Sequence, residues 1–182
     1  FRVTSHLNGF MGFVADVSDL LSYEEENIVA VRVDTTETEG WWYQGGGIYR
    51  NVWLDIREPV HFTRETLHVL PAVDFENKRA SVKVAFDIEN HSFAPENCKA
   101  TVQTYSPEDV LVNESTCTVE VAELDKAKGE VSFELENISL WSCETPALYR
   151  VMLSIDDGTR EGSDRIECTT GFRYIRFDKD KG

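Results

Sequence analysis

The chain has 182 residues, of which 41% are hydrophobic and 11% aromatic, enough for one or two domains with buried cores rather than a disordered segment. Its 33 acidic residues outnumber its 18 basic ones, and the net charge of -15 argues against a nucleic-acid partner because it repels phosphate backbones. No run approaches the ~20 apolar residues of a membrane helix, so we predict a soluble protein with no membrane span. The compartment stays open between the bacterial cytoplasm, the periplasm and secretion.

The first 60 residues predict a small β-rich unit. NIVAVRV (27–33) and NVWLDI (51–56) are typical of strands, and FVADVSDLL predicts a strand followed by a short helical hook near Ser18. So few strands bury only a thin core, which makes the unit marginal alone. Pro59 and mixed charges mark a boundary, so we expect domains at 1–62 and 63–182. Both ends of the chain look cut, and we expect it to be a piece of a longer protein.

Strict alternation dominates the rest of the chain. In SVKVAFDIE (81–89), the apolar residues Val82, Val84, Phe86 and Ile88 share one face, as in a half-buried antiparallel strand. About seven such segments predict an immunoglobulin-like β-sandwich, and DDGT (156–159) predicts a hairpin. The segments are TLHVLPAV (66–73), SVKVAFDIE, KATVQTY (99–105), CTVEV (117–121), EVSFELE (130–136), YRVMLSI (149–155) and RIECTTGF (165–172).

The phase of the alternation predicts which side chains are buried. We expect one core containing Val82, Val84, Phe86, Val131, Phe133, Leu135, Val151 and Leu153. The opposite face should expose Lys83, Asp87, Glu130 and Glu134, and Glu120 and Glu136 should be solvated in the same way.

Cysteine and histidine form no recognisable metal motif. The four cysteines include no CxxC pair, and His6, His61, His68 and His91 are scattered along the chain. Cys117 and Cys168 alternate in phase with apolar neighbours, which favours small buried thiols over a disulfide or a nucleophile. We therefore predict no metal site and no cofactor.

The segment WWYQGGGIYRNVWL (41–54) is the candidate functional motif. A phosphate loop would need a lysine and a following helix, and neither is present. Two hypotheses stay open. Trp41, Trp42 and Tyr43 could stack on the apolar face of a pyranose ring. Alternatively, Gly45, Gly46 and Gly47 could serve a structural loop through positive φ or close backbone approach, with Arg50 paired to a carboxylate or carbonyl. We favour the structural hypothesis.

Four segments resemble family 2 glycoside hydrolases, the group of β-galactosidases, β-glucuronidases and β-mannosidases. WYQGGGIYRNVWL is similar to the end of their sugar-binding domain, although Gln44 replaces the usual proline. FVADVSDLL followed by ENIVAVRVD resembles an earlier part of that domain. LWSCETPALYRVMLSI (140–155) and GFRYIRFDKDKG (171–182) resemble segments of the second, immunoglobulin-like domain. The four occur in the family's order, and the first most resembles β-galactosidases.

The resemblance implies an accessory region without catalytic residues. Residues 1–62 would be the C-terminal part of a jelly-roll sugar-binding domain, followed by the complete sandwich and then by a catalytic barrel after Gly182. The parent would be a retaining exo-β-glycosidase that hydrolyses terminal non-reducing β-D-galactose. The implied partners are its own barrel and the carbohydrate substrate, and a second copy of the chain is an alternative cover for the exposed face of the first domain. The rival hypothesis is a stand-alone carbohydrate-binding or structural β-sandwich module.

Overall fold

The computed structural model describes residues 3–36, 46–156, 164–174, 177 and 179–180. The chain divides into two compact units, Phe1–Leu54 and Asp55–Gly182. Apart from one short 3-10 turn in the first unit, the secondary structure of the described residues is β. None of the described helical segments has the length and apolarity that a membrane crossing requires.

In the first unit, the described residues 3–36 and 46–54 contain one regular element, a 3-10 turn at Ser18–Leu20. The predicted hook near Ser18 is thus confirmed, and the Asp16 carboxylate accepts hydrogen bonds from the Ser18 amide (2.9 Å) and hydroxyl (2.7 Å). The strands predicted within FVADVSDLL, at 27–33 and at 51–56 are wrong, because no strand is formed there. Their apolar side chains are exposed, with Val29 at 78% and Trp53 at 72%. Alternation alone does not make a strand when no neighbouring strand takes up its backbone hydrogen bonds.

The second unit contains eight strands among its described residues, and they cover all seven of the segments predicted as strands. The predicted turn at 156–159 lies outside the described residues beyond Asp156. The strands are β1 (Val60–Phe62), β2 (His68–Asp74), β3 (Arg79–Asn90), β4 (Glu96–Tyr105), β5 (Leu111–Val121), β6 (Lys126–Leu135), β7 (Tyr149–Asp156) and β8 (Asp164–Thr170).

Two antiparallel sheets enclose one core in this unit. In the first sheet β3 is central, with β6 on one edge and β1 and β2 in succession along the other. The second sheet has the order β5-β4-β7-β8. The core draws on both sheets, including Val84 and Phe86 from β3, Val102 from β4 and Leu153 from β7. The arrangement is a β-sandwich whose strands alternate buried and exposed residues, as the sequence predicts.

Two residues depart from the predicted burial. Phe133 is only half-buried, although it packs against the core in phase with the buried Val131 and Leu135 of the same strand, β6. Asp87 is half-buried instead of exposed, because the segment between β1 and β2 folds against it. The Thr63 amide donates to the Asp87 carbonyl (2.8 Å), and the Asp87 amide donates to the Thr66 hydroxyl (3.1 Å). The other predicted core residues are buried, and Lys83, Glu130 and Glu134 are exposed.

The β1–β2 junction shifts the register along β3. Phe62 lies opposite Ile88 and His68 lies opposite Ala85, so residues 63–67 face residues 86–87. Glu65 takes up the extra length with a φ of 61°. The shift separates β1 from β2 and places β1, which precedes the boundary expected after residue 62, against the C-terminal end of β3.

Candidate functional site

The candidate loop at 41–54 is only partly described. Trp41, Trp42, Tyr43 and Gly45 lie outside the described residues, so the sugar-stacking hypothesis stays a prediction. Gly47 has a φ of 140°, a conformation that favours glycine, and a Cβ atom on Gly46 would lie 2.5 Å from the Thr35 Cγ2 atom. Both observations favour a structural loop.

Arg50 does not make the pair expected for it among the described residues. Its guanidinium carbon lies 5.4 Å from the centroid of the Tyr49 ring, and no carboxylate of the described chain pairs with it. The expected pair is missing because the residues around Arg50 are exposed and form no sheet. No neighbouring strand therefore brings a distant carboxylate to Arg50.

A polar cluster of four residues occupies one end of the first sheet of the second unit. His61 of β1 and Lys126 of β6 both lie opposite Glu89 of β3, so the three form one row across the sheet. His91 follows Glu89 by two residues and therefore projects on the same side. The residues next to them along β1 and β3, such as Phe62 and Ile88, point to the opposite side, into the core. The cluster therefore lies on the outer face of the sheet.

The side chains of this polar cluster are in direct contact. The His91 Nε2 atom lies 3.0 Å from Glu89 Oε2, and the Lys126 Nζ atom lies 2.7 Å from Glu89 Oε1. The His61 and His91 rings stack almost parallel, with centroids 5.3 Å apart. One donor atom from each of His61, Glu89 and His91 lies within 4.8 Å of the other two.

The environment of Glu89 keeps it ionised. Partial burial opposes ionisation, but hydrogen bonds from Lys126 and His91 outweigh it and lower the pKa of the Glu89 carboxyl to about 2. The buried Thr63 hydroxyl lies close enough to favour the ionised carboxylate as well, although it has no well-oriented hydrogen-bond partner among the described residues. Glu89 is therefore a carboxylate at neutral pH.

Asn90 anchors the backbone beneath the polar cluster. Its buried side-chain amide donates to the carbonyl oxygens of Ala94 (2.8 Å), Ala122 (3.1 Å) and Val121 (3.3 Å). Its backbone amide donates to the Asp125 carbonyl (2.9 Å), and the next amide, that of His91, donates to the Pro59 carbonyl (2.9 Å). These bonds hold the segments before β1, after β3 and before β6 together, which fixes the positions of the clustered side chains.

The pocket beside the polar cluster suits an ion or a few waters better than a sugar. It has a volume of about 90 Å³ and is lined by Glu89, Asn90, His91, Leu124, Asp125 and Lys126. Small-molecule sites usually enclose roughly 300–1,000 Å³. Glu89 is also unsuited to be the acid of a glycosidase, because that residue must be protonated near neutral pH.

The predicted solvated glutamates are confirmed. Glu120, Glu130, Glu134 and Glu136 are all exposed on strands or just beyond them. Glu130 forms an ion pair with Lys83, and Glu136 pairs with Arg79 at 3.0 Å. Exposed pairs of this kind contribute little to stability, on the order of 0–1 kcal/mol.

The β-sandwich matches the model of a known protein family. The family model for glycosyl hydrolases family 2 matches residues 60–173, from the start of β1 to just beyond β8. The chain belongs to this family. The family 2 match contains the entire polar cluster. Its two histidines are far apart in the chain and form no short motif, so the local sequence pattern does not reveal it.

Family 2 relatives cover almost the whole chain. It is 29% identical to "Beta-galactosidase BoGH2A" of Bacteroides ovatus and 28% identical to a "Beta-glucuronidase" of Formosa agariphila, with 96% of this chain covered in each case. A family 2 member from Bacteroides cellulosilyticus has a solved structure with a TM-score of 0.89 at 26% identity, covering 99% of this chain and 24% of that one. The chain spans 20% of the length of each of the two curated relatives.

Proposed function

We propose that this chain is a non-catalytic accessory region of a longer retaining exo-β-glycosidase that acts on terminal β-D-galactose residues. The observation that carries the proposal is the family 2 match over β1–β8 in a chain that spans only a fifth of its curated relatives. In that parent, the second unit would be an immunoglobulin-like domain that braces a catalytic barrel. The first unit would belong to a jelly-roll sugar-binding domain.

Three carboxyl groups of the described residues have lowered pKa values, which supports a non-catalytic role. A retaining glycosidase needs a carboxylic acid and a carboxylate about 5–5.5 Å apart, and the acid requires a raised pKa. Hydrogen bonds from neighbouring residues lower the pKa values of Asp34 and Asp74, and Glu89 is lowered to about 2. These three groups are thus shifted in the direction opposite to that of a general acid.

Exposed apolar side chains support the bracing role. In the second unit, Leu148 is 47% exposed and Tyr174 is 63% exposed. In the first unit, Ile28 and Trp53 are 83% and 72% exposed. Apolar surface of this kind commonly marks protein contacts, and a catalytic barrel and the rest of a jelly roll would cover it.

The choice of galactoside rests on the resemblance of residues 41–54 to β-galactosidases and on similarity to the B. ovatus β-galactosidase. A glucuronide is the second candidate substrate, because similarity to the F. agariphila β-glucuronidase is nearly as high. The two candidates separate in an assay with aryl β-galactoside and aryl β-glucuronide. We expect a protein extended through the barrel to cleave the galactoside faster, and preference for the glucuronide would reverse the assignment.

The accessory role is tested with the 182-residue chain alone. It should release aryl alcohol no faster than buffer, while the extended protein turns over. Activity of the short chain that survives repurification and disappears when one of its own carboxylates is replaced would refute the proposal.

The bracing role is tested in the extended protein. Tyr174→Ala should lower its melting temperature without changing KM, whereas Thr118→Ala, on the exposed side of β5, should change neither. A stand-alone carbohydrate-binding module would instead bind galactosides as the short chain and lose that binding in Trp42→Ala.

A further inference from the structure

We propose that His61, Glu89 and His91 form a binding site for one zinc-type divalent cation on the outer face of the first sheet. The proposal concerns the second unit alone and does not depend on the proposed glycosidase function. It starts from the pairing of β1 with β3, which brings a histidine, a carboxylate and a second histidine onto one surface.

The donor set and its spacing suit this cation. Two imidazoles and one carboxylate are a ligand combination found at zinc sites that leave a further position for water. Zinc binds imidazole nitrogen and carboxylate oxygen at about 2.0–2.2 Å. The His91 Nε2 and Glu89 Oε2 atoms, 3.0 Å apart, can therefore both contact one cation, which would replace the proton now shared between them. Hard cations such as calcium prefer six or more oxygen ligands, and the cluster does not offer them.

Neighbouring groups fix the tautomer of His61 and the orientation of the Glu89 carboxylate. The His61 Nδ1 atom lies 2.9 Å from the Glu58 carbonyl, and only a protonated Nδ1 can form this bond, which leaves the lone pair on Nε2. Metal-bound histidines usually donate their other nitrogen to a carbonyl or carboxylate in this way. Lys126 occupies Glu89 Oε1 and leaves Oε2 directed to His91.

A buried hydroxyl without a well-oriented partner points to an additional ligand at this place. Thr63 Oγ1 is buried without a well-oriented partner among the described residues, and it lies beside Glu89. Buried hydroxyl groups normally have a hydrogen-bond partner, since leaving one unpaired is costly. A water molecule on the cation would supply that partner.

Calorimetric titration of the chelator-treated 182-residue chain with zinc chloride tests the proposal. Cys143 carries an exposed thiol, so all variants are made in a Cys143→Ser background to exclude binding there. We expect one zinc ion per chain, and at least about tenfold weaker binding in Glu89→Gln and in His91→Ala. His68→Ala is the matched control, because His68 is an exposed histidine on the neighbouring β2 and is not part of the cluster.

Cobalt substitution gives a second measurement, which reports the ligand environment of the bound metal. The cobalt-loaded chain should show visible absorption bands that are lost in Glu89→Gln, with circular dichroism confirming that the variant is folded. The proposal is overturned if zinc does not bind, if both ligand variants bind as the unmodified chain does, or if His68→Ala weakens binding equally. Displacement of zinc by millimolar calcium would also overturn the assignment of cation type.

Discussion

Gly129→Ala should destabilise the sandwich although it adds a single methyl group. Gly129 lies on β6 opposite Phe86 of β3, and a Cβ atom there would lie 2.2 Å from Phe86 Cε2 and 2.4 Å from Cζ. The Phe86 ring is buried, and it packs edge-on against Phe62 with centroids 5.5 Å apart. Phe62 is itself fully buried, so neither ring can move away without disturbing the core.

The net effect is the difference of two terms. Overpacking a core by one or a few carbon atoms costs about 1–3 kcal/mol. Replacing a strand glycine removes backbone entropy from the unfolded chain and returns roughly 0.5–1 kcal/mol. Because the overlap with Phe86 is severe, the first term should lie near the top of its range. We expect a net loss of about 2 kcal/mol in the free energy of unfolding.

Equilibrium unfolding in urea, followed by far-ultraviolet circular dichroism, measures this loss. Gly12→Ala is the matched control, because a Cβ atom there meets nothing within 4 Å. Phe86→Leu in the Gly129→Ala background should recover part of the loss, so the two substitutions should be non-additive. A loss below about 0.5 kcal/mol, or strict additivity with Phe86→Leu, would show that the rings do not confine position 129.

Four further predictions test other parts of the structure. Asn90→Asp should lower the free energy of unfolding by at least about 2 kcal/mol in the same urea assay. The reason is that a carboxylate cannot donate to the three carbonyls that now accept hydrogen bonds from the Asn90 side chain. An effect no larger than that of an exposed Asn→Asp change would contradict this. Since Glu89 has a pKa near 2 in the folded chain against an ordinary value of 4.5, its contribution to stability is present above pH 4.5 and is lost as the pH falls towards 2. Glu89→Gln should flatten that acid decline, and an unchanged pH profile would refute the assignment. Asp164→Ala should speed hydrogen exchange at the Phe62 amide, which donates to Asp164 Oδ2 at 2.8 Å, and should cost about 1–3 kcal/mol because it also removes one of the two carboxylates paired with Arg57, the other being Asp55. Unchanged exchange at Phe62 would argue against the contact. Limited trypsin digestion should cut after Arg32 before any site in β2–β8, since residues 27–33 form no strand; earlier cleavage within the sandwich would reverse the predicted order of stability.

Local pattern was enough to predict the strands of the sandwich. Alternation in a segment such as 81–89 reports both the strand and its buried face, because successive side chains point to opposite sides. Four ordered motifs likewise indicated the family that the comparison then showed. The same pattern failed at 27–33, where the apolar residues alternate but no strand forms. A strand depends on hydrogen bonds from a neighbour, and a segment's own sequence does not say whether that neighbour is present.

Phe133 shows that alternation predicts the direction of a side chain better than the extent of its burial. It alternates in phase with Val131 and Leu135, which are buried, yet it remains half-buried. How deeply a side chain is buried depends on contacts between distant segments, so the sequence around Phe133 predicts its direction but not the extent of its burial.

The polar cluster depended entirely on tertiary structure. The sequence by itself determined that the chain is a β-rich member of its family without a short metal motif, and it left His61 and His91 as unrelated residues. Antiparallel pairing of β1 with β3 places His61 opposite Glu89, and the extra residues at 63–67 set that register independently of β2. A shift of one residue would turn His61 into the core and Phe62 outwards, because side chains alternate along a strand. The long-range register therefore decided which side chains meet at this surface.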